Sequence, residues 1–134
     1  MLWYIIDGWN VIHKIPSLKS SFLIKEDFIS FIRKYHLIGS RNNRITVVFD
    51  GRADLEMARK ERTADIVFSG RKTADEVICS KVSQAKNKRQ IVVVSDDNEI
   101  IRRVKAEGAA VLKTADFLKK QAKSRPNKDT KDIS

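Results

Sequence analysis

The chain opens with MLWYIIDGWN, Met1 to Asn10, in which an apolar run stops abruptly at an aspartate and a glycine. The apolar residues 3–6, bounded by a glycine turn, are typical of a short buried strand. Asp7 follows this strand directly. Its carboxylate is therefore expected at the edge of a sheet, where ligands bind in open α/β proteins. We hypothesise that Asp7 is the first of several carboxylates that converge on a divalent metal.

Two more apolar runs rich in β-branched residues also end in aspartate. They are residues 45–49 (ITVVF), which precede Asp50, and residues 91–94 (IVVV), which precede Ser95, Asp96 and Asp97. Near-continuous apolar runs are typical of strands covered on both faces, as in a parallel sheet. Weaker strands are predicted at residues 65–69 and 109–112.

Apolar residues recur at three- and four-residue steps between these strands, which predicts helices. The predicted helices cover residues 22–37, 74–85, 97–107 and 115–122. Alternation of strands and helices implies right-handed βαβ crossovers. The predicted fold class is therefore α/β, with a mostly parallel sheet of about five strands and helices on both faces. The charge-rich segment 51–63 is expected to form a short helix or a loop.

Asp7, Asp50 and Asp96 each end a predicted parallel strand, so they should lie at one edge of the sheet. Clustered carboxylates repel one another unless a cation neutralises them. Oxygen ligands suit Mg²⁺ or Mn²⁺, which can activate water and stabilise phosphoryl charge. Each aspartate also has a structural explanation, since Asp-Gly pairs form turns and Asp96 could cap a helix.

A fourth carboxylate is expected from Asp75, in the first turn of the helix predicted at 74–85. Thr73 and Glu76 have the spacing of a capping box, which accounts for both of them and leaves Asp75 free to join the cluster. An acid at this position also favours the helix dipole without any site. Asn10 could donate to a phosphate or hold a water, or it could belong to a turn or a helix cap.

The net charge of +10 predicts binding to a polyanion, most commonly nucleic acid. A generic basic surface is the alternative. Arg52, Arg71 and Lys72 flank the proposed acidic edge and could hold RNA phosphates, although such residues are usually solvated. Trp9 could stack on a base or simply pack beside the strand.

Composition limits the remaining possibilities. Cys79 is the only cysteine, so an internal disulfide cannot form and a reducing, cytoplasmic setting is expected. No apolar run approaches the length of a membrane span, and no signal peptide is recognised. His13 and His36 lack a cysteine or second histidine at ligand spacing, which argues against zinc. Residues 1–118 are predicted to form one domain, followed by a basic, flexible tail at 119–134.

Four short motifs occur in order along the chain. They are Asp7-Gly8-Trp9-Asn10, Phe49-Asp50-Gly51, Thr73-Ala74-Asp75-Glu76 and Ser95-Asp96-Asp97. In these motifs the chain resembles NYN domains, a branch of the PIN-like nuclease superfamily, and it is most similar to the YacP-like bacterial group. The resemblance covers roughly residues 1–118.

This resemblance implies a Rossmann-like PIN/NYN fold and an Mg²⁺- or Mn²⁺-dependent endoribonuclease that leaves 5′-phosphate and 3′-hydroxyl ends. The implied catalytic residues are Asp7, Asn10, Asp50, Asp75 and Asp96. The candidate metal ligands are Asp7, Asp75, Asp96 and Asp97, with Asp96 preferred over Asp97. Ser95 or Asp97 would help to position a ligand.

Other functions fit parts of the same pattern. A non-catalytic RNA- or ribosome-binding module would need the basic surface but no metal. A phosphatase-like protein would need a second aspartate two residues after Asp7, where Trp9 stands instead. A response-regulator receiver would need a lysine at a late strand end, and Lys113 follows the strand predicted at 109–112. The sequence leaves the RNA target and the oligomeric state open.

Overall fold

The computed structural model describes residues 1–40, 42–52 and 64–123, with side chains up to residue 119. Most of the charge-rich segment predicted at 51–63 lies outside the described residues. So do residues 124–134, which form most of the predicted tail.

The core of the molecule is a five-stranded sheet whose paired strands are all parallel. The strands are β1 (Trp3–Asp7), β2 (Arg44–Phe49), β3 (Asp65–Phe68), β4 (Ile91–Val94) and β5 (Ala110–Leu112). Their order across the sheet is β3-β2-β1-β4-β5, which places β1 at the centre. The predicted α/β fold with a parallel sheet is confirmed, and the strands lie within one or two residues of the predicted positions.

Five α-helices lie in the described part of the chain. They are α1 (Gly8–Ile12), α2 (Ile24–Lys34), α3 (Ala74–Gln84), α4 (Asn98–Ala106) and α5 (Thr114–Lys123). The four predicted helices are present as α2 to α5, and α2 is shorter than predicted at both ends. The short helix α1 was not predicted. Helix α5 ends inside the segment 119–134 that was assigned to the tail.

The helices cover both faces of the sheet and create two apolar cores. Ile5 and Ile6, adjacent in β1, are both fully buried, and they belong to different cores. Ile6 packs in the core that contains Phe28 of α2 and Phe117 of α5. Ile5 packs with residues of α3 and α4. Burial on both faces explains why the strands read as unbroken apolar runs.

Gly8 allows α1 to start directly after β1, without a loop. A Cβ atom on Gly8 would lie 2.6 Å from Cε1 and 2.7 Å from Cδ1 of Phe49, which is fully buried and cannot move away freely. Glycine at this position therefore fixes how closely α1 approaches β2, and with it the place of Trp9 and Asn10 beside Asp7.

None of the helices in the ranges described above has the length and apolar character needed to cross a lipid bilayer.

We expect Gly8→Ala to lower the free energy of unfolding by about 1–3 kcal/mol, because overpacking against a buried ring forces shifts in the core. Urea denaturation followed by circular dichroism measures this change. In a Phe49→Leu background the added methyl group has room, so the same substitution should cost clearly less there. Equal costs in the two backgrounds would contradict the assigned contact.

Candidate active site

A cavity of about 290 Å³ lies at the carboxyl edge of the sheet, where β1 and β2 end and α1, α3 and α4 begin. Its lining residues are Asp7, Trp9, Asn10, His13, Asp50, Thr73, Ala74, Asp75, Asp97 and Ile100. The cavity thus brings together four of the five aspartates that the sequence selected. Asp96 is not among its lining residues.

Asp7 ends the central strand, and the pKa of its carboxyl group is raised in the folded protein. Burial raises its pKa from 3.8 to about 6; a hydrogen bond from Ser95 opposes this rise, and the negative charges of Asp97, Asp75 and Asp50 add to it. Asp50, Asp75 and Asp97 are therefore close enough to Asp7 to influence it electrostatically. Ionisation of Asp7 is disfavoured in the folded protein unless a positive charge arrives.

Ser95 connects the ends of β1 and β4. Its buried hydroxyl donates to Oδ2 of Asp7 at 3.1 Å and accepts from the backbone N–H of Asp97 at 3.0 Å. Asp97 in turn caps α4, because its Oδ1 accepts from the N–H groups of Glu99 at 2.8 Å and Ile100 at 3.2 Å. Its other oxygen makes no hydrogen bond to a residue that the structure describes, and it is available to a ligand.

Asp96 has a different environment from Asp97. Its Oδ1 accepts from the backbone N–H of Thr114, the first residue of α5, at 2.8 Å. The carboxylate that the sequence preferred as a metal ligand therefore anchors a helix outside the cavity. The adjacent Asp97 lines the cavity because it, and not Asp96, is the N-cap residue of α4.

Asn10 has its side-chain amide held in one orientation. Its Oδ1 accepts from the backbone N–H of Asp96 at 3.0 Å and from Oγ1 of Thr114 at 3.3 Å. With the oxygen occupied in this way, the Nδ2 group makes no hydrogen bond to any described residue. Since Asn10 lines the cavity, its amide can donate to a ligand oxygen there.

Asp50 anchors the start of α3. Its Oδ1 accepts from Oγ of Ser69 at 3.1 Å and from the N–H of Ala74 at 3.0 Å. The sequence predicts either a turn or a site residue here, and the structure shows a side chain that fixes the start of a helix and also lines the cavity.

Asp75 lies in the first turn of α3, between the two residues of the capping box that the sequence predicts. Thr73 Oγ1 accepts from the N–H of Glu76 at 3.2 Å, and Glu76 Oε1 accepts from the N–H of Thr73 at 2.9 Å. Asp75 itself accepts a hydrogen bond from the Thr73 hydroxyl. The cap fixes the first turn of α3 and holds Asp75 at the cavity.

The donor groups of the cavity fit a hard divalent cation. No three carboxylate, histidine or cysteine groups within the described ranges are grouped tightly enough to enclose an ion by themselves. Mg²⁺ is commonly held by only one or two carboxylates and keeps several waters, so a looser group of oxygens is sufficient. Zn²⁺ fits less well, since His13 is the only nitrogen or sulfur ligand type in the described part of the lining.

None of the three predicted basic contacts belongs to the described lining of the cavity. Arg52, Arg71 and Lys72 are exposed, and none of them is among its described lining residues. Lys72 lies instead in a groove of about 350 Å³ between α3 and α4, which also contains Arg103.

Trp9 both lines the cavity and packs against the edge of Phe49, with ring centroids 5.4 Å apart. His13, which the sequence did not select, lies beside Trp9 in the lining. The sequence offers one signal that could have identified His13, which is its four-residue spacing from Trp9. This spacing places the two side chains next to each other only if residues 8–12 are helical.

A parallel five-stranded α/β sheet with an aspartate-lined cavity at its carboxyl edge is the arrangement expected of a PIN-like, NYN domain. The chain belongs to the YacP-like NYN domain family, whose model matches residues 4–134. The predicted family is confirmed. Family membership suggests nuclease function of the ribonuclease type, with RNA as the implied substrate.

Solved structures agree with this assignment. The crystal structure of Rae1 (YacP) from Bacillus subtilis is 24% identical, with a TM-score of 0.74 over 99% of this chain and 79% of that one. The structure of a mutant form of Rae1 is 26% identical, with a TM-score of 0.70 over 92% of this chain and 76% of the other. No curated protein sequence matches the chain.

We expect Asp7→Asn to stabilise the metal-free protein. Because the pKa of Asp7 rises from 3.8 to about 6 on folding, the wild type loses stability as the pH rises through this interval. The variant keeps a neutral side chain, so it should be more stable above pH 6 by about 2 kcal/mol, with no difference below the unfolded pKa.

Urea denaturation in EDTA across this pH range measures the difference. The isosteric substitution Asp116→Asn on α5, outside the cavity, provides the control and should show no such pH dependence. A destabilised Asp7→Asn protein at neutral pH would contradict the assigned burial and repulsion.

Proposed function

We propose that the protein is an Mg²⁺- or Mn²⁺-dependent endoribonuclease that hydrolyses RNA phosphodiester bonds at this cavity. The observation that carries the proposal is the meeting of four aspartates from separate elements, close enough for three of them to raise the pKa of the fourth, Asp7. Such mutual repulsion destabilises the metal-free protein, whereas a cation would convert it into attraction.

Asp7, Asp75 and Asp97 are the residues that would hold the cation, with Asp50 beside them. Asp96, bonded to the start of α5, is the weakest candidate of the set. When bound, a divalent cation supplies Lewis acidity for water activation and neutralises charge on the phosphate that is attacked. No covalent enzyme intermediate is required, and direct hydrolysis is consistent with 5′-phosphate and 3′-hydroxyl products.

The chain's own residues position the substrate and the ligands. Ser95 stabilises the ionised form of Asp7 through its hydroxyl and fixes the backbone of Asp97. The Nδ2 group of Asn10 is already oriented, so it can donate to a phosphate oxygen without a further loss of conformational freedom. The aspartates not engaged by a cation repel phosphate, so the cation is required for cleavage but not for RNA binding through the basic surface.

RNA is the proposed substrate because the family implies it and because the net charge of +10 attracts polyanions. Arg52, Arg71 and Lys72 would bind phosphates on either side of the cut, which makes binding sensitive to salt. A cavity of about 290 Å³ accommodates little more than one nucleotide, which favours single-stranded or loop RNA. A single cysteine and an RNA substrate are consistent with a cytoplasmic location.

We expect the purified protein to cut single-stranded RNA with Mn²⁺ and to lose this activity in EDTA. Asp7→Asn and Asp97→Asn should each lower kcat/KM by roughly 100-fold or more, since each removes a charged ligand. Asp96→Asn should change it little, because an amide oxygen can still accept from Thr114. Gel analysis of end-labelled RNA measures all three.

Asp116→Asn serves as the surface control in the same assay. A folded Asp7→Asn protein with full activity would overturn the proposed site. Loss of activity in Asp96→Asn with retention in Asp97→Asn would reverse the assignment of the two neighbours.

A non-catalytic RNA- or ribosome-binding module is the second candidate. It is favoured by the absence of a tight three-ligand group among the described residues. Calorimetry separates the two functions: no heat with Mn²⁺, together with salt-sensitive RNA binding, would support the module.

A further inference from the structure

We propose that Trp9 and His13 form a stacking shelf for the nucleobase next to the scissile phosphate, with the His13 ring as its outer surface. The inference rests on RNA binding at the cavity, as in the proposed function. It adds a residue, His13, and a substrate contact that the carboxylate chemistry does not require.

The two rings lie on one side of the turn that begins in α1 and ends at its C-cap residue, His13. Residues four apart in a helix project side by side, and here the ring centroids are 6.2 Å apart with an interplanar angle of 27°. Both side chains line the cavity that contains the aspartates. The shelf and the proposed metal ligands therefore border the same space.

The buried side of α1 and a neighbouring aromatic ring hold the shelf in position. Val11 and Ile12, on the opposite face of α1, are buried in the core. The N–H of His13 donates to the carbonyl oxygen of Trp9 at 3.0 Å, which fixes the backbone between the two rings. Trp9 is further supported by its edge contact with Phe49. A base that stacks here meets a surface that is ordered in advance, which reduces the entropic cost of binding.

The outer ring is open to a ligand. The His13 residue is exposed, and its imidazole makes no hydrogen bond or ion pair with any residue that the structure describes. The other described lining residues are carboxylates, Asn10, Thr73, Ala74 and Ile100. Trp9 and His13 thus provide all the aromatic surface of the described lining, and aromatic rings are the groups on which unpaired bases stack.

A different role for the same residue is donation from an imidazole nitrogen to a phosphate. The two roles predict different behaviour for two substitutions. His13→Phe keeps a flat aromatic ring and removes the nitrogens, whereas His13→Gln keeps a polar donor and removes the ring. Stacking is therefore supported if Phe, and not Gln, replaces His13 without loss.

The first measurement is RNA affinity in EDTA, from fluorescence anisotropy of a labelled single-stranded oligoadenylate. His13→Ala and His13→Gln should weaken binding about tenfold, the scale of one stacked base, and His13→Phe should bind like the wild type. His36→Asn replaces the other histidine, which lies outside the cavity, and should bind normally. Wild-type affinity in His13→Ala, or full rescue by Gln in place of Phe, overturns the inference.

The second measurement is kcat/KM with Mn²⁺ on an RNA of mapped cut site, with an abasic ribose placed in turn at each nucleotide beside the cut. At one position the missing base should lower the wild-type value about tenfold and leave the His13→Ala value unchanged, since the shelf contact is already lost. An abasic penalty of equal size in both proteins at every position contradicts the shelf.

The two proposals fail separately. If the wild type binds RNA but does not cleave it, the endoribonuclease proposal fails and the affinity measurement still decides the role of His13. If cleavage depends on Mn²⁺ and Asp7 but His13→Ala acts like the wild type in both assays, the shelf alone is rejected.

Discussion

The position of Asp7 is determined by the burial of the strand that carries it. The strand that carries it runs between β2 and β4, and its neighbours Ile5 and Ile6 are fully buried on opposite faces of the sheet. The strand cannot shift by one residue without exchanging the two faces. Asp7 is therefore held at the end of the central strand, where its carboxylate accepts a hydrogen bond from Ser95. The other aspartates lie around the carboxylate of Asp7, which the strand holds in place and keeps from moving out into solvent.

Three aspartates attach the helices to the sheet edge, each through the first turn of a different helix. Asp50 accepts from the first N–H of α3, Asp97 caps α4, and Asp96 accepts from the first N–H of α5. Carboxylates are favoured at these positions because helix N-termini carry partial positive charge and unpaired N–H groups. Two of the three anchors also line the cavity. The acidic cavity is in part a by-product of how parallel α/β units attach their helices, so function can be added there without a change of fold.

The sequence predicts the sheet and the main helices because strands buried on both faces appear as apolar runs. The longer helices bury one face, so their apolar residues recur at three- and four-residue steps. It does not predict α1, because five residues are shorter than the window in which helical periodicity can be recognised. The choice between Asp96 and Asp97 also depends on structure. Adjacent carboxylates differ only in which helix N-terminus each one reaches, and that is decided by the path of the chain after β4.

His13 was not selected from the sequence for a related reason. A histidine is usually assessed by its spacing to other metal ligands, and here the relevant neighbour is an aromatic ring four residues earlier. The four-motif order, by contrast, was sufficient to predict the family, since each motif follows or starts an element whose position in the fold is fixed.

The direct passage from β1 into α1 at Gly8 has a consequence for sequence change. Asp7 belongs to the strand, while Asn10 belongs to the helix and His13 is its C-cap residue, and no loop separates the two elements. One inserted residue at this junction would rotate the helical side chains by about 100° around the helix axis. Asn10 would then leave the cavity even though every side chain was retained. The number of residues between Asp7 and His13 is therefore as important for the site as the identity of these residues. Length variation in this family should be confined to other connections.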